Sequence, residues 1–116
     1  MKKTIVGLSI STLFLCNIWA QDISAQRGQV IFETKGCVTC HKDDIDTIGP
    51  SLSTIAREYL GKERELLSYL RGQAPAIIDP ARAPVMDPQL VKIRSLFDPD
   101  MQALTMYIIS ANDRPF

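Results

Sequence analysis

Three side chains in this 116-residue chain have types and a spacing that could do chemistry together: Cys37, Cys40 and His41, in the run Cys37-Val38-Thr39-Cys40-His41. On a helix they fall at i, i+3 and i+4, so all three face one side. Two thiols on that side can form thioethers with the two vinyl groups of one porphyrin, and the imidazole beside them then lies over the iron as an axial ligand. This is the pattern of covalent c-type haem attachment. Other chemistries need residues the chain lacks. A structural zinc site takes four Cys or His ligands, usually as two separated pairs. Here there is a single His, and the remaining Cys16 lies in an apolar leader. A thioredoxin-like redox pair wants a strand before it in a βαβ context, whereas Arg27 to Gly36 reads as helix.

With His41 the only histidine, the second axial position falls to Met, Lys, Tyr, a water or nothing. Past the leader, three methionines are available: Met86, Met101 and Met106. Met101 lies on the inward stripe of the last helix, where a Met more often fills core than binds metal, and Met106 lies off that stripe. Met86 sits in Pro84-Val85-Met86-Asp87-Pro88, read as an irregular loop stiff enough to hold a thioether against iron. The expected metal ligands are therefore His41 and Met86.

The elements that must position these residues are helical throughout. Ser24 to Gly36 reads as the first helix, with Ser24 as N-cap and Gly28, Ile31, Phe32 and Lys35 along one face. Lys42 to Thr47 reads as a polar loop in which Asp43, Asp44 and Asp46 form a solvated face, partner docking being the alternative. Ser51 caps a helix whose apolar face is Leu52, Ile55, Ala56, Tyr59 and Leu60, ended by Gly61. Tyr59 is either core or a hydrogen-bond donor to a haem propionate. Lys62 to Arg71 turns Leu66, Leu67 and Leu70 inward. Gln73 to Pro88, with four prolines, reads as irregular chain around the haem edge. Arg71 and Arg82 could pair with propionates or simply be surface charges. Leu90, Ile93 and Phe97 suggest a short helix. Asp98 is expected to cap the final one, with Pro99 at its first position and Met101, Leu104, Tyr107, Ile108 and Ala111 inward. Asn112 to Phe116 reads as a tail.

The N-terminal residues 1–20 read as a secretory signal peptide: Lys2 and Lys3, an uncharged apolar run from Ile5 to Trp19, and small Ala20 before the cut. A retained membrane anchor is the alternative. Cleavage would leave residues 21–116 as one domain and take 13 basic and 13 acidic residues to 11 and 13, a net charge near −2. No basic patch or stripe of the kind that binds nucleic acid is present. A domain of this size buries a modest share of its surface, and a covalently held apolar haem would complete its core.

The chain resembles the small single-haem cytochromes c of the class I type from about Ala25 to Ser110. The likeness rests on Cys37 to His41, on Gly28 and Phe32 before them and Gly49-Pro50 after them. It extends to Met86 in its Pro-rich stretch and to Leu104, Tyr107 and Ile108 in a terminal helix. The resemblance implies an all-α fold of about four to five short helices around one covalent haem c, with the first and last helices crossing closely where a small residue permits it. It implies that the Pro50 carbonyl accepts the imidazole Nδ1–H of His41, that Met86 is the second ligand, and that haem is attached outside the cytoplasm, in the periplasm. With no second His and no nucleophile paired to a base, an enzyme is not expected. The reading is a periplasmic electron-transfer protein that docks transiently with redox donor and acceptor proteins and touches no membrane unless the leader is retained. The alternatives are a haem subunit of a larger respiratory or sulfur- or nitrogen-oxidising complex, and a haem sensor or enzyme with an open sixth position.

Overall fold

The computed structural model describes residue 7 and residues 15–115. Among these described residues five α-helices follow in order: α1 Leu15–Thr34, α2 Leu52–Glu58, α3 Glu63–Leu70, α4 Ala83–Ile93 and α5 Asp98–Ile109. Short 3-10 turns lie at Cys37–Thr39, Pro80–Arg82 and Ser110–Asp113. Among the described residues there is no strand, in keeping with the all-α expectation.

The fold is centred on the crossing of α1 and α5, which make the most extensive contact between any two elements. A Gly within a helix costs about 1 kcal/mol against Ala, so it needs a packing reason. At Gly28 that reason is steric. A Cβ there would stand 2.0 Å from the Ala103 carbonyl oxygen and 2.6 Å from the Tyr107 Cβ. One turn on, the Phe32 ring packs tilted against Tyr107, with centroids 5.4 Å apart. Leu52 from α2, Leu66 from α3 and Met101 and Leu104 from α5 are fully buried around this crossing. Ion pairs Arg27–Asp100 and Arg71–Asp98 tie α1 and α3 to the first turn of α5. Asp98 and Asp100 there also complement the helix dipole.

Several elements differ from the sequence expectation. Ser24 does not cap α1, which begins at Leu15. Leu15 to Ser24 contains no Gly or Pro, so nothing stops the helix from running upstream. The expected leader lies largely in residues 1–6 and 8–14, outside the described residues. The stretch around Met86 is helix rather than irregular chain. Pro84 stands in the first turn of α4, where a missing N–H removes no hydrogen bond, and only Pro88 falls in the helix interior. Within the stretch from Gln73 to Pro88, irregular backbone is thus confined to residues 73–79.

Phe97 is no part of an inward face: it is 82% exposed and occupies the N-cap of α5 in extended conformation, displacing Asp98 into the first turn. Leu60, past the end of α2, is likewise exposed. The C-terminal segment is not a free tail, since Asn112 donates to the Ala56 carbonyl at 2.7 Å and Arg114 lies over the Tyr107 ring. Ser51 does cap α2, its hydroxyl accepting the Thr54 N–H at 3.1 Å.

The crossing yields a direct test. Replacing Gly28 by Leu should force α1 and α5 apart and lower stability by about 1–3 kcal/mol, the usual cost of overpacking. A denaturant midpoint equal to wild type would contradict this packing.

Candidate haem site

Gly36, in the left-handed conformation at φ 78°, follows the end of α1 and redirects the chain into the Cys37–Thr39 turn. The His41 N–H donates to the Cys37 carbonyl at 3.0 Å and the Cys40 N–H to the same oxygen at 3.2 Å. Cys37, Cys40 and His41 therefore share one helical turn and all line a single apolar cavity. The two cysteines are not joined to each other as a disulfide, and burial pushes the Cys37 thiol above its ordinary range.

His41 is held from three directions. Its Nδ1 lies 2.7 Å from the Pro50 carbonyl oxygen. A carbonyl carries no hydrogen, so Nδ1 must be the protonated nitrogen and, in the neutral ring, Nε2 keeps its lone pair. Gly49 supplies the floor: a Cβ there would come within 2.7 Å of the ring Cε1 and 2.9 Å of Nδ1. The Phe32 ring lies 6.5 Å away, centroid to centroid, at a tilt of 53°. Phe32 thus serves both the helix crossing and the imidazole, a second role that its place on a helix stripe did not reveal.

The loop carrying Gly49 and Pro50 is tightly bonded to itself. Gly49 N–H donates to the Cys40 carbonyl at 2.9 Å, and the Thr47 hydroxyl reaches the same oxygen at 3.2 Å. Asp46 Oδ1 accepts from the Ser51 N–H at 2.7 Å and from the Thr54 hydroxyl at 3.2 Å. Asp44 accepts from the Ser53 hydroxyl at 2.9 Å. The Ser51 N–H, above all, holds the Asp46 carboxyl below the usual carboxylate range, with Thr54 and Arg57 adding to the effect. The acidic run is exposed, as read from the sequence, yet two of its three carboxylates are structural acceptors.

The remaining walls come from distant chain. Met86 projects from α4, partly buried against the core, and lines the cavity. Tyr59 is 3% exposed and lines it too. Burial pushes the Tyr59 phenol up, and the nearby Tyr69 adds to the shift. Tyr69, Leu104 and Ile108 complete the apolar surface; no spacing rule marked Tyr69 as part of the site. Arg82 borders the cavity and donates to the Ile48 carbonyl at 2.6 Å, joining the start of α4 to the loop beyond His41. Arg71 is bound instead to Asp98, among residues that do not line the cavity. Cys37, Cys40, His41, Pro50, Tyr59 and Met86 all border this one cavity.

The sequence pattern of the family described as Cytochrome c matches residues 25–112. The chain belongs to the cytochrome c family. It is 28% identical over 106 residues to a cytochrome c-551 of Pseudomonas aeruginosa, covering 89% of each chain. A cytochrome c-551 of Azotobacter vinelandii is 35% identical over 37 residues, 32% of this chain and 45% of the relative. Membership implies a covalent c-type haem and a place in electron transfer. The residues present fit that group: two cysteines not joined to each other and an imidazole with an available Nε2 on one turn, facing apolar walls. The family's small class I members match this helical chain in size and fold.

Two outcomes follow from the loop. Gly49→Ala should displace the imidazole and visibly shift the His41 ring resonances in the NMR spectrum, and a ring left in place would contradict the contact. The lowered Asp46 pKa contributes stability above the unfolded value, near 3.9, that is lost as pH falls through the folded one. Acid unfolding of Asp46→Asn should therefore show a weaker pH dependence than wild type between about pH 5 and pH 2, by circular dichroism.

Proposed function

We propose that the chain is a periplasmic one-electron carrier whose haem iron is bound by His41 and Met86. The observation that carries this reading is the convergence of Cys37, Cys40, His41 and Met86, from two distant parts of the chain, on one apolar cavity. When bound there, a c-type haem supplies reversible one-electron exchange at iron. Cys37 and Cys40 would hold it covalently. The Pro50 carbonyl fixes the His41 tautomer so that Nε2 is the donor toward the metal. Met86, rather than Met101 or Met106, is the second ligand: Met101 is fully buried among core side chains, and neither it nor Met106 lines the cavity. A thioether from Met86 would raise the potential relative to bis-His ligation and leave the iron no open place for substrate.

The apolar lining made by Tyr59, Leu104 and Ile108 excludes water, which keeps reorganisation small and favours the less charged, reduced iron site. Ile48, Ile77 and Val85 line the cavity yet remain exposed, as does Val38 between the two cysteines. These side chains form the surface at which donor and acceptor proteins would dock transiently. Residues 1–20 act as the export leader in this reading. No helix among the described residues is long and apolar enough to cross a membrane.

The purified protein should carry one haem that resists acid–acetone extraction and adds its mass to a chain beginning at Gln21. Met86→Ala should abolish the sulfur-to-iron charge-transfer band of the oxidised protein, lower the potential and let carbon monoxide bind the reduced form. Met101→Leu should leave all three nearly unchanged. Ready carbon monoxide binding by the wild type would replace the carrier with an open-site haem protein.

A further inference from the structure

Pro50 and Ser51 share one peptide group, and both of its ends are engaged. Its carbonyl oxygen accepts the His41 Nδ1–H at 2.7 Å, and its N–H donates to Asp46 Oδ1 at 2.7 Å. The peptide is a planar, conjugated unit. A charged acceptor at its N–H drives electron density toward its oxygen, and hydrogen bonds joined in series strengthen one another in this way. The oxygen becomes a stronger acceptor for Nδ1–H. The imidazole then gains imidazolate character, and Nε2 becomes a stronger donor to a metal.

We propose that Asp46 is a positioning residue that sets the donor strength of His41, and with it the haem potential, through the Pro50–Ser51 peptide. The inference rests on the reading of His41 as an iron ligand. The arrangement is built to hold its geometry. Asp46 takes a second hydrogen bond from the Thr54 hydroxyl at 3.2 Å. Ser51 is itself fixed as the cap of α2, and Gly49 leaves the imidazole room to reach Pro50. Asp46 is exposed, so a long-range field from its charge would be screened by solvent and salt. An effect passed through two short contact hydrogen bonds is not. The same loop provides the comparison: Asp43 and Asp44 carry the same charge, but neither bonds to the Pro50–Ser51 peptide.

The test is a potentiometric titration of the holoprotein, with covalent haem verified as its pyridine haemochrome. Asp46→Asn keeps an acceptor oxygen and removes the charge. Its potential should rise, because a weaker His41 donor stabilises oxidised iron less. The His41 Nδ1–H resonance should move upfield in the reduced protein, with His41 still on the iron, whatever stability is lost with the Asp46 charge. Asp43→Asn should raise the potential clearly less, and Asp46→Glu should return it toward wild type. If the Asn protein does not accumulate, Asp46→Gln makes the same neutral comparison. Equal shifts in the Asp46 and Asp43 variants, with His41 on the iron, would show a general charge effect and overturn this inference alone. A protein without covalent haem, or with another residue in place of His41 on the iron, would overturn the reading beneath it as well.

Discussion

The close approach of α1 to α5 at Gly28 is the constraint on which the other parts depend. Removing a single Cβ lets two helix backbones meet where a methyl group would stand 2.0 Å from a carbonyl oxygen. That contact fixes the height and direction of α1 and so decides where its C-terminal end delivers the Cys37 turn. It also brings Phe32 against Tyr107 and into reach of the His41 ring. Interiors pack densely and accommodate little extra volume. The position of the thiols relative to the far wall of the cavity thus follows from a contact outside that cavity.

The loop after His41 solves a different problem. An imidazole on a short turn can rotate about its side-chain bonds, and a metal ligand needs one tautomer and one ring plane. Here both are constrained by backbone: the Pro50 carbonyl faces Nδ1, and Gly49 leaves room for the ring edge beside it. The loop is in turn held by its own side chains, Thr47 on Cys40 and Asp46 on Ser51. Hydrogen bonds of this kind, in an exposed segment, substitute for the apolar packing that orders the rest of the chain.

α4 shows how prolines can build a helix as well as break one. Pro80 opens a 3-10 turn and Pro84 stands in the first turn of the α-helix that follows, both at places where no N–H is needed. Pro88, within the helix, cannot donate to the Pro84 carbonyl. Met86 between them is carried on a regular helix, and Leu90 and Ile93 anchor that helix to the core. The stretch expected to be a braced loop is instead regular helical backbone.

Much of the site could be read along the chain because its chemistry is local. Cys37, Cys40 and His41 fall on one turn by spacing alone, and the apolar stripes of α1, α3 and α5 follow from a period of 3.6 residues. Ser51 is an N-cap by residue type and position. The exposure of Phe97 and Leu60 and the helix around Met86 were not local facts. Each depends on where a neighbouring element ends and what covers it. Asp46, Phe32 and Tyr69 were illegible as site residues for the same reason: an aspartate in a polar loop looks like any solvated charge. Only folding brings the N–H of Ser51 onto Asp46 while the other end of the same peptide meets His41. The primary structure determines which groups can react or bind; the tertiary structure decides which of them face one another, because those contacts join residues that spacing rules cannot relate.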